Sequence, residues 1–261
     1  VEGPDGQYYG VFLAIRPNEA NRVNTGRETF ILPVDWSGTF PVFKGGLEPI
    51  QPKLAMPQGV KNETGKNGYF PNGNFTFTET FTGNSLDYRW VGVRGAREGF
   101  ISTTAEGLTI TPYETNIKAV LPTSTLFYRQ QHLNFTATTT LKYVPRTEKD
   151  LAGITCYQSE KFNYVFGVTK KAEDSYIVLQ RTEKGESSTI ACEKIEGNTP
   201  ISLRVTAEGD KYTFSYSVKD NNYQTVGGTV SEDILSTNVA GGFTGAMIGL
   251  YATTSNDAEA L

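Results

Sequence analysis

The run KYTFSYSV (211–218) alternates without a slip: Tyr212, Phe214, Tyr216 and Val218 are apolar, while Lys211, Thr213, Ser215 and Ser217 are polar. A period of two places the four apolar side chains on one face of an extended strand and turns that face into a core. Working outward, similar runs recur at short intervals. Upstream lie PISLRVTAEG (200–209), SSTIACEKI (187–195), SYIVLQRT (175–182), FNYVFGVTK (162–170) and AGITCYQ (152–158). Before them come NFTATTTLKYV (134–144), TLFYRQ (125–130), GLTITP (107–112), LDYRWVGV (86–93) and NFTFTETFT (74–82), the last with a register slip after Glu79. Many short strands joined by turns predict a two-sheet sandwich of jelly-roll type.

The composition agrees. The chain has 261 residues with 33 Thr, 14 Tyr and 15 Phe, and 27 Gly and 12 Pro to break elements. β-Branched and aromatic residues suit a pleated surface, and helical apolar spacing is nearly absent, so the fold class is all-β. A net charge of −4 with no basic block excludes a nucleic-acid partner, whose affinity comes from Lys and Arg on phosphates. No apolar run approaches the ~20 residues of a membrane helix, so no membrane partner is expected.

The first strands form a separate group. QYYGVFLAIR (7–16), ETFILPV (28–34) and TFPVF (39–43) predict a three-stranded meander, with a polar Asn-containing loop at 18–27 and a turn at Asp35–Gly38. Such a meander cannot bury both its faces alone and reads as one blade of something larger. KGGLEPIQPKLAMPQGV (44–60) is Pro-rich and reads as an extended crossing segment. Val1 is not Met and no signal-peptide layout precedes it, which points to a processing site.

Residues with chemistry are sparse. Cys156 and Cys192 are either a disulfide or two small buried hydrophobes, and neither has metal-ligand spacing. Sequons occur at Asn62, Asn74 and Asn134, but 16 Asn at this Ser and Thr frequency yield about three by chance. His132 is the single histidine, which rules out most nucleophilic triads and zinc sites, and reads as a hydrogen-bonded structural residue. No cofactor is required, and a structural Ca2+ held by acids and carbonyls is the one metal left open. Glycosidic hydrolysis needs two carboxyls flanking the bond. Glu28, Asp35, Glu48, Asp87 and Glu98 instead sit in turn, cap or surface contexts, so no catalytic pair stands out.

Two regions carry a resemblance. YYGVFLAIRP (8–17), GRETFILPVDW (26–36) and GGLEPIQP (45–52) resemble the end of the catalytic domain of glycoside hydrolase family 43, in its β-xylosidase and α-L-arabinofuranosidase branch. FYRQQH (127–132), PRTEKDLAGITCYQ (145–158) and GGFTGAMIGLYA (241–252) resemble the C-terminal β-sandwich of that branch. The resemblance implies the last blade of a five-bladed β-propeller at 1–43, an extended crossing at 44–69, and a concanavalin-like jelly-roll sandwich at 70–261. It implies a secreted exo-glycosidase that removes terminal xylosyl or arabinofuranosyl units from xylo-oligosaccharides with inversion. The base Asp, the tuning Asp and the acid Glu would lie on an N-terminal propeller chain, the expected partner. It further implies two substrate-binding residues, Arg27 in GRETF and Phe243 in GGFTG. The competing reading is a stand-alone lectin-like sandwich, which would have no use for residues 1–43.

Overall fold

In the computed structural model, residues 1–45, 48–51, 53–61, 70, 72–95, 99–196, 200–218 and 222–256 are described. They form two compact units. One comprises Val1–Arg16 with Arg27–Thr78, and the other Pro17–Gly26 with Glu79–Leu261. The division falls at Thr78/Glu79 and assigns the 17–26 loop to the second unit.

The first unit holds β1 (Tyr8–Ile15), β2 (Arg27–Asp35) and β3 (Val42–Phe43) in one antiparallel sheet. Val11 pairs with Ile31, Leu13 with Thr29 and Ile15 with Arg27, so these six side chains share one face. That face is wet: Val11 is 54% exposed, Leu13 61% and Ile15 52%. The other face is aromatic, with the Phe12 ring edge-on to Phe43 at 5.3 Å and stacked with Phe30 at 6.4 Å. Gly10 is dictated by that packing, since a Cβ there would meet the Phe43 ring.

The second unit is the sandwich. After the small hairpin β4 (Ile101–Thr104) and β5 (Gly107–Ile110) come β6 (Thr125–Arg129), β7 (Phe135–Leu141), β8 (Leu151–Ser159) and β9 (Phe162–Lys171). The series continues with β10 (Asp174–Glu183), β11 (Glu186–Lys194), β12 (Ile201–Glu208), β13 (Lys211–Ser217), β14 (Gln224–Ser231) and β15 (Met247–Thr253). Between β14 and β15 lie a 3₁₀ turn, Asp233–Leu235, and one helical turn α1, Thr237–Ala240. A six-stranded sheet runs β11-β10-β9-β8-β15-β6 and a four-stranded sheet β14-β13-β12-β7.

Between the sheets lies the main core, including Cys156, Tyr164, Phe166, Leu203, Tyr212 and Phe214. The polar ends of its tyrosines are satisfied: Tyr164 donates to the Ser231 carbonyl at 2.9 Å and Tyr212 to Gln130 Oε1 at 2.8 Å. The outer face of the six-stranded sheet packs a second cluster of Ile117, Phe127, Leu151, Tyr157, Val165, Val178 and Tyr251. With both its faces covered, β9 is buried from Phe162 through Thr169, whereas β12 and β7 alternate because the outer face of their sheet meets water.

Three expectations fail. NFTFTETFT (74–82) forms no strand: Phe75 stacks on Phe70 at 4.9 Å, and Phe81 enters the left-handed region at φ 56, which ends any ladder. LDYRWVGV (86–93) makes only the bridge Val91–Phe127, because Asp87 folds it into a turn by accepting the Arg89 N–H at 2.9 Å. The disulfide is absent. Both cysteines are free, with Cys156 in the inter-sheet core and Cys192 against the outer cluster. They sit on β8 and β11 with β9 and β10 between them, about 14 Å apart at ~4.8 Å per strand, beyond disulfide reach. A reductant therefore leaves the melting temperature unchanged within a degree, checked by calorimetry with and without it. Under native conditions a thiol reagent labels the half-buried Cys192 and spares Cys156, whose thiol pKa is pushed up by full burial.

Candidate functional site

The GGFTG segment (241–245) follows α1 and is shaped by its glycines. Gly241 and Gly242 both take positive φ, 78° and 72°, and swing the chain outward. Phe243 at the tip is 60% exposed, so its ring is no core residue. Gln158 braces the segment from β8, its Nε2 donating to the Gly241 carbonyl at 3.2 Å and the Thr244 carbonyl at 3.4 Å.

The 17–26 loop packs beside it. Thr244 bridges Gly26, the Ala246 N–H donates to the Asn24 carbonyl at 2.8 Å, and Arg129 Nη2 donates to the Thr25 carbonyl at 2.6 Å. Gly26 and Gly245 approach so closely that a Cβ on either would collide with the other strand's backbone. Phe243 precedes Thr244 and so stands one peptide from this bridge within the second unit, while Arg27 belongs to the first. Arg27 itself is exposed, at the start of β2 on the face of Val11, Leu13, Ile15 and Ile31.

The loop is held at its other end by a corner that the sequence did not advertise. Val23, Asn24 and Thr25 are buried. Arg22 pairs with Asp233 at 3.1 Å, Val23 exchanges bonds with Asn238 Oδ1 and the Thr237 N–H, and Asn24 Nδ2 donates to the Glu232 carbonyl at 2.9 Å. Asn18 Nδ2 donates to Glu232 Oε1 at 2.6 Å. The absence of Lys, Asp and Glu from 20–27 was the available signal for burial.

Beyond the bridge a groove of about 470 Å³ opens, lined by Val91–Arg94, Tyr157–Glu160, Thr244, Gly245 and Met247. Its floor is the Tyr157 ring stacked on Phe127 at 5.1 Å. Its rim is the ion pair of Arg94 and Glu160 at 2.6 Å, with Arg94 in the left-handed region at φ 52. The guanidinium holds the Glu160 carboxyl below the usual carboxylate range. Ionised and paired, Glu160 is a poor proton donor.

The other candidates fall into structural roles. Asp35 accepts the Ser37 N–H at 2.8 Å, Asp87 pairs with Arg89, and Glu28 makes a two-point pair with Arg16 at 2.9 and 3.2 Å. His132 is half-buried and its carbonyl accepts from Gln130 at 3.0 Å. Asn74 and Asn134 are exposed, and Asn134 Oδ1 accepts the Gly209 N–H at 2.8 Å; Asn62 and Glu98 lie outside the described residues. Among the described residues no three His, Cys, Asp or Glu side chains are grouped so that they could hold a metal.

A family model described as the β-xylosidase C-terminal concanavalin A-like domain matches residues 78–260. The chain is 27% identical to a non-reducing end α-L-arabinofuranosidase, BoGH43B, of Bacteroides ovatus, covering 99% of this chain and 47% of that protein. It is 28% identical to a xylosidase/arabinosidase of Butyrivibrio fibrisolvens, covering 98% and 48%. Among solved structures, a GH43_12 protein retrieved from a capybara gut metagenome superposes with a TM-score of 0.86 at 49% identity, over 94% of this chain and 47% of that one. The chain spans about half the length of the curated relatives it matches.

Proposed function

The chain belongs to the family of β-xylosidase C-terminal concanavalin A-like domains, and from that premise we propose that it is the C-terminal part of a glycoside hydrolase removing terminal xylosyl or arabinofuranosyl units from xylo-oligosaccharides. The observation that carries this reading is the exposed apolar face of β1 and β2. A sugar-binding sandwich has no need of two strands presenting Val11, Leu13, Ile15 and Ile31 to water. A divided or longer enzyme does, because the neighbouring propeller blade would cover them. The match to half of each relative supports the same reading.

In this proposal the catalytic carboxylates stand on the N-terminal part, and inversion follows from a water activated by one of them opposite an acid. This chain binds and shapes. The Arg27 fork donates two hydrogen bonds to adjacent sugar hydroxyls or holds a catalytic carboxylate ionised. Phe243 closes the pocket with an aromatic wall that excludes water and admits one terminal sugar. Release of nitrophenol from an aryl β-xyloside or α-L-arabinofuranoside tests it. The N-terminal and C-terminal parts together should hydrolyse the substrate, and this chain alone should not. Sugar binding by this chain alone, with no hydrolysis by the pair, would favour the lectin-like alternative.

Phe243→Ala separates a pocket wall from a core residue. The melting temperature should stay within a few degrees, because an exposed ring contributes little to stability. Binding of xylobiose by the enzyme should weaken by roughly 1–2 kcal/mol, the loss of one aromatic contact. Stability lowered by about 3 kcal/mol with binding intact would refute the wall.

A further inference from the structure

Glu232 is a fully buried carboxyl of the second unit. It has no exposed surface, and its Oε2 has no hydrogen-bond partner among the described residues. Its Oε1 takes one bond, from Asn18. Asn24, whose Nδ2 donates to the Glu232 carbonyl, is equally buried, and its own Oδ1 has no hydrogen-bond partner among the described residues. The corner thus contains two acceptors without donors, and a buried acceptor left unpaired is costly. A proton on Glu232 would turn one of them into a donor.

The charges around it do not favour ionisation. Asp210 on the β12–β13 turn and Asp233 on the 3₁₀ turn both repel a carboxylate here. Tyr212 on β13 is a phenol kept neutral by burial, and the Tyr164 hydroxyl from β9 is committed to the Ser231 carbonyl. Arg22, the cation on the loop, is engaged by Asp233.

We propose that Glu232 is a positioning residue that locks the 17–26 loop in its neutral form, so that the loop and the Gly26–Thr244 bridge loosen when the carboxyl ionises. Burial, assisted by the two aspartates and opposed by the Asn18 bond, raises the Glu232 pKa from 4.5 to about 7. A folded pKa above the unfolded one means that the contribution to stability is complete below about 4.5 and is lost as pH rises through about 7. The inference concerns the ligand-free protein and stands apart from the sugar reading.

Hydrogen exchange on the ligand-free full-length enzyme tests it, at pH 5.5 and 8.5 and corrected for intrinsic rates. The wild type should lose protection in 17–26 and at Ala246 at the higher pH, on the order of tenfold. Glu232→Gln, neutral at every pH and able to donate, should keep protection at both. Glu232→Ala should lose it at both. Calorimetry supplies the second measurement: the melting temperature should fall with pH more steeply in the wild type than in Glu232→Gln. Equal pH slopes in the two proteins, or wild-type protection in 17–26 that ignores pH, would overturn the proposal.

Discussion

Arg27→Ala should lower kcat/KM of the full-length enzyme on xylobiose at least roughly a hundredfold, on the order of 3 kcal/mol. The residue opens β2, opposite Ile15, with its side chain exposed. The face that it shares with Ile15 carries Val11, Leu13 and Ile31. In the proposed pocket the fork finds sugar hydroxyls or a carboxylate. Arg27→Lys should recover little of the loss, because an ammonium cannot make the two parallel hydrogen bonds. A change under threefold for Arg27→Ala would mean that the side chain acts elsewhere.

The largest expected loss of stability is at Phe214→Ala. Its side chain is fully buried between the sheets, with ring centroids 5.8 Å from Tyr164, 5.5 Å from Phe166 and 6.3 Å from Tyr212. Truncation removes the transfer energy of the ring and leaves a cavity between the sheets, a cost of about 3–5 kcal/mol. Denaturant unfolding should show that drop at unchanged slope, with a fall in melting temperature of roughly 10 °C. A loss below about 1 kcal/mol would mean that the core repacks around the gap.

Phe214 was legible in advance because its neighbours in sequence name its environment. Lys211, Thr213 and Ser215 on one side and Tyr212, Phe214 and Tyr216 on the other define a two-faced strand before any partner is known. The same alternation misled at 74–82. There Phe and Thr alternate as well, but a strand also needs backbone partners, and Phe81 at φ 56 points the chain away from any. Asp87 reads as a turn residue, and in the structure its turn prevails over the apolar run that follows it.

The site was legible in part. Arg27 and Phe243 came from motif resemblance, and the corner around Glu232 came from neither pattern nor resemblance. Glu232 sits in SEDIL, where a carboxylate beside an aspartate reads as solvated. Its burial depends on Asn18 and Asn24, more than two hundred residues earlier in the chain.

The amino-acid sequence by itself determined that the chain is all-β, where most of the sandwich strands run, and which of their faces turn inward. Those properties follow from side-chain alternation, which is local and needs no knowledge of partners. Only the tertiary structure decided which strands are neighbours: β15 enters between β6 and β8, and β7 closes the four-stranded sheet beside β12. Those pairings placed Cys156 and Cys192 on opposite faces of one sheet, joined Gly26 to Thr244, and buried Glu232 against Asn18. Long-range pairing is selected by the burial of whole faces against one another, and closing a long loop costs little more than closing a short one. Local sequence therefore carries almost no record of which distant strand will win.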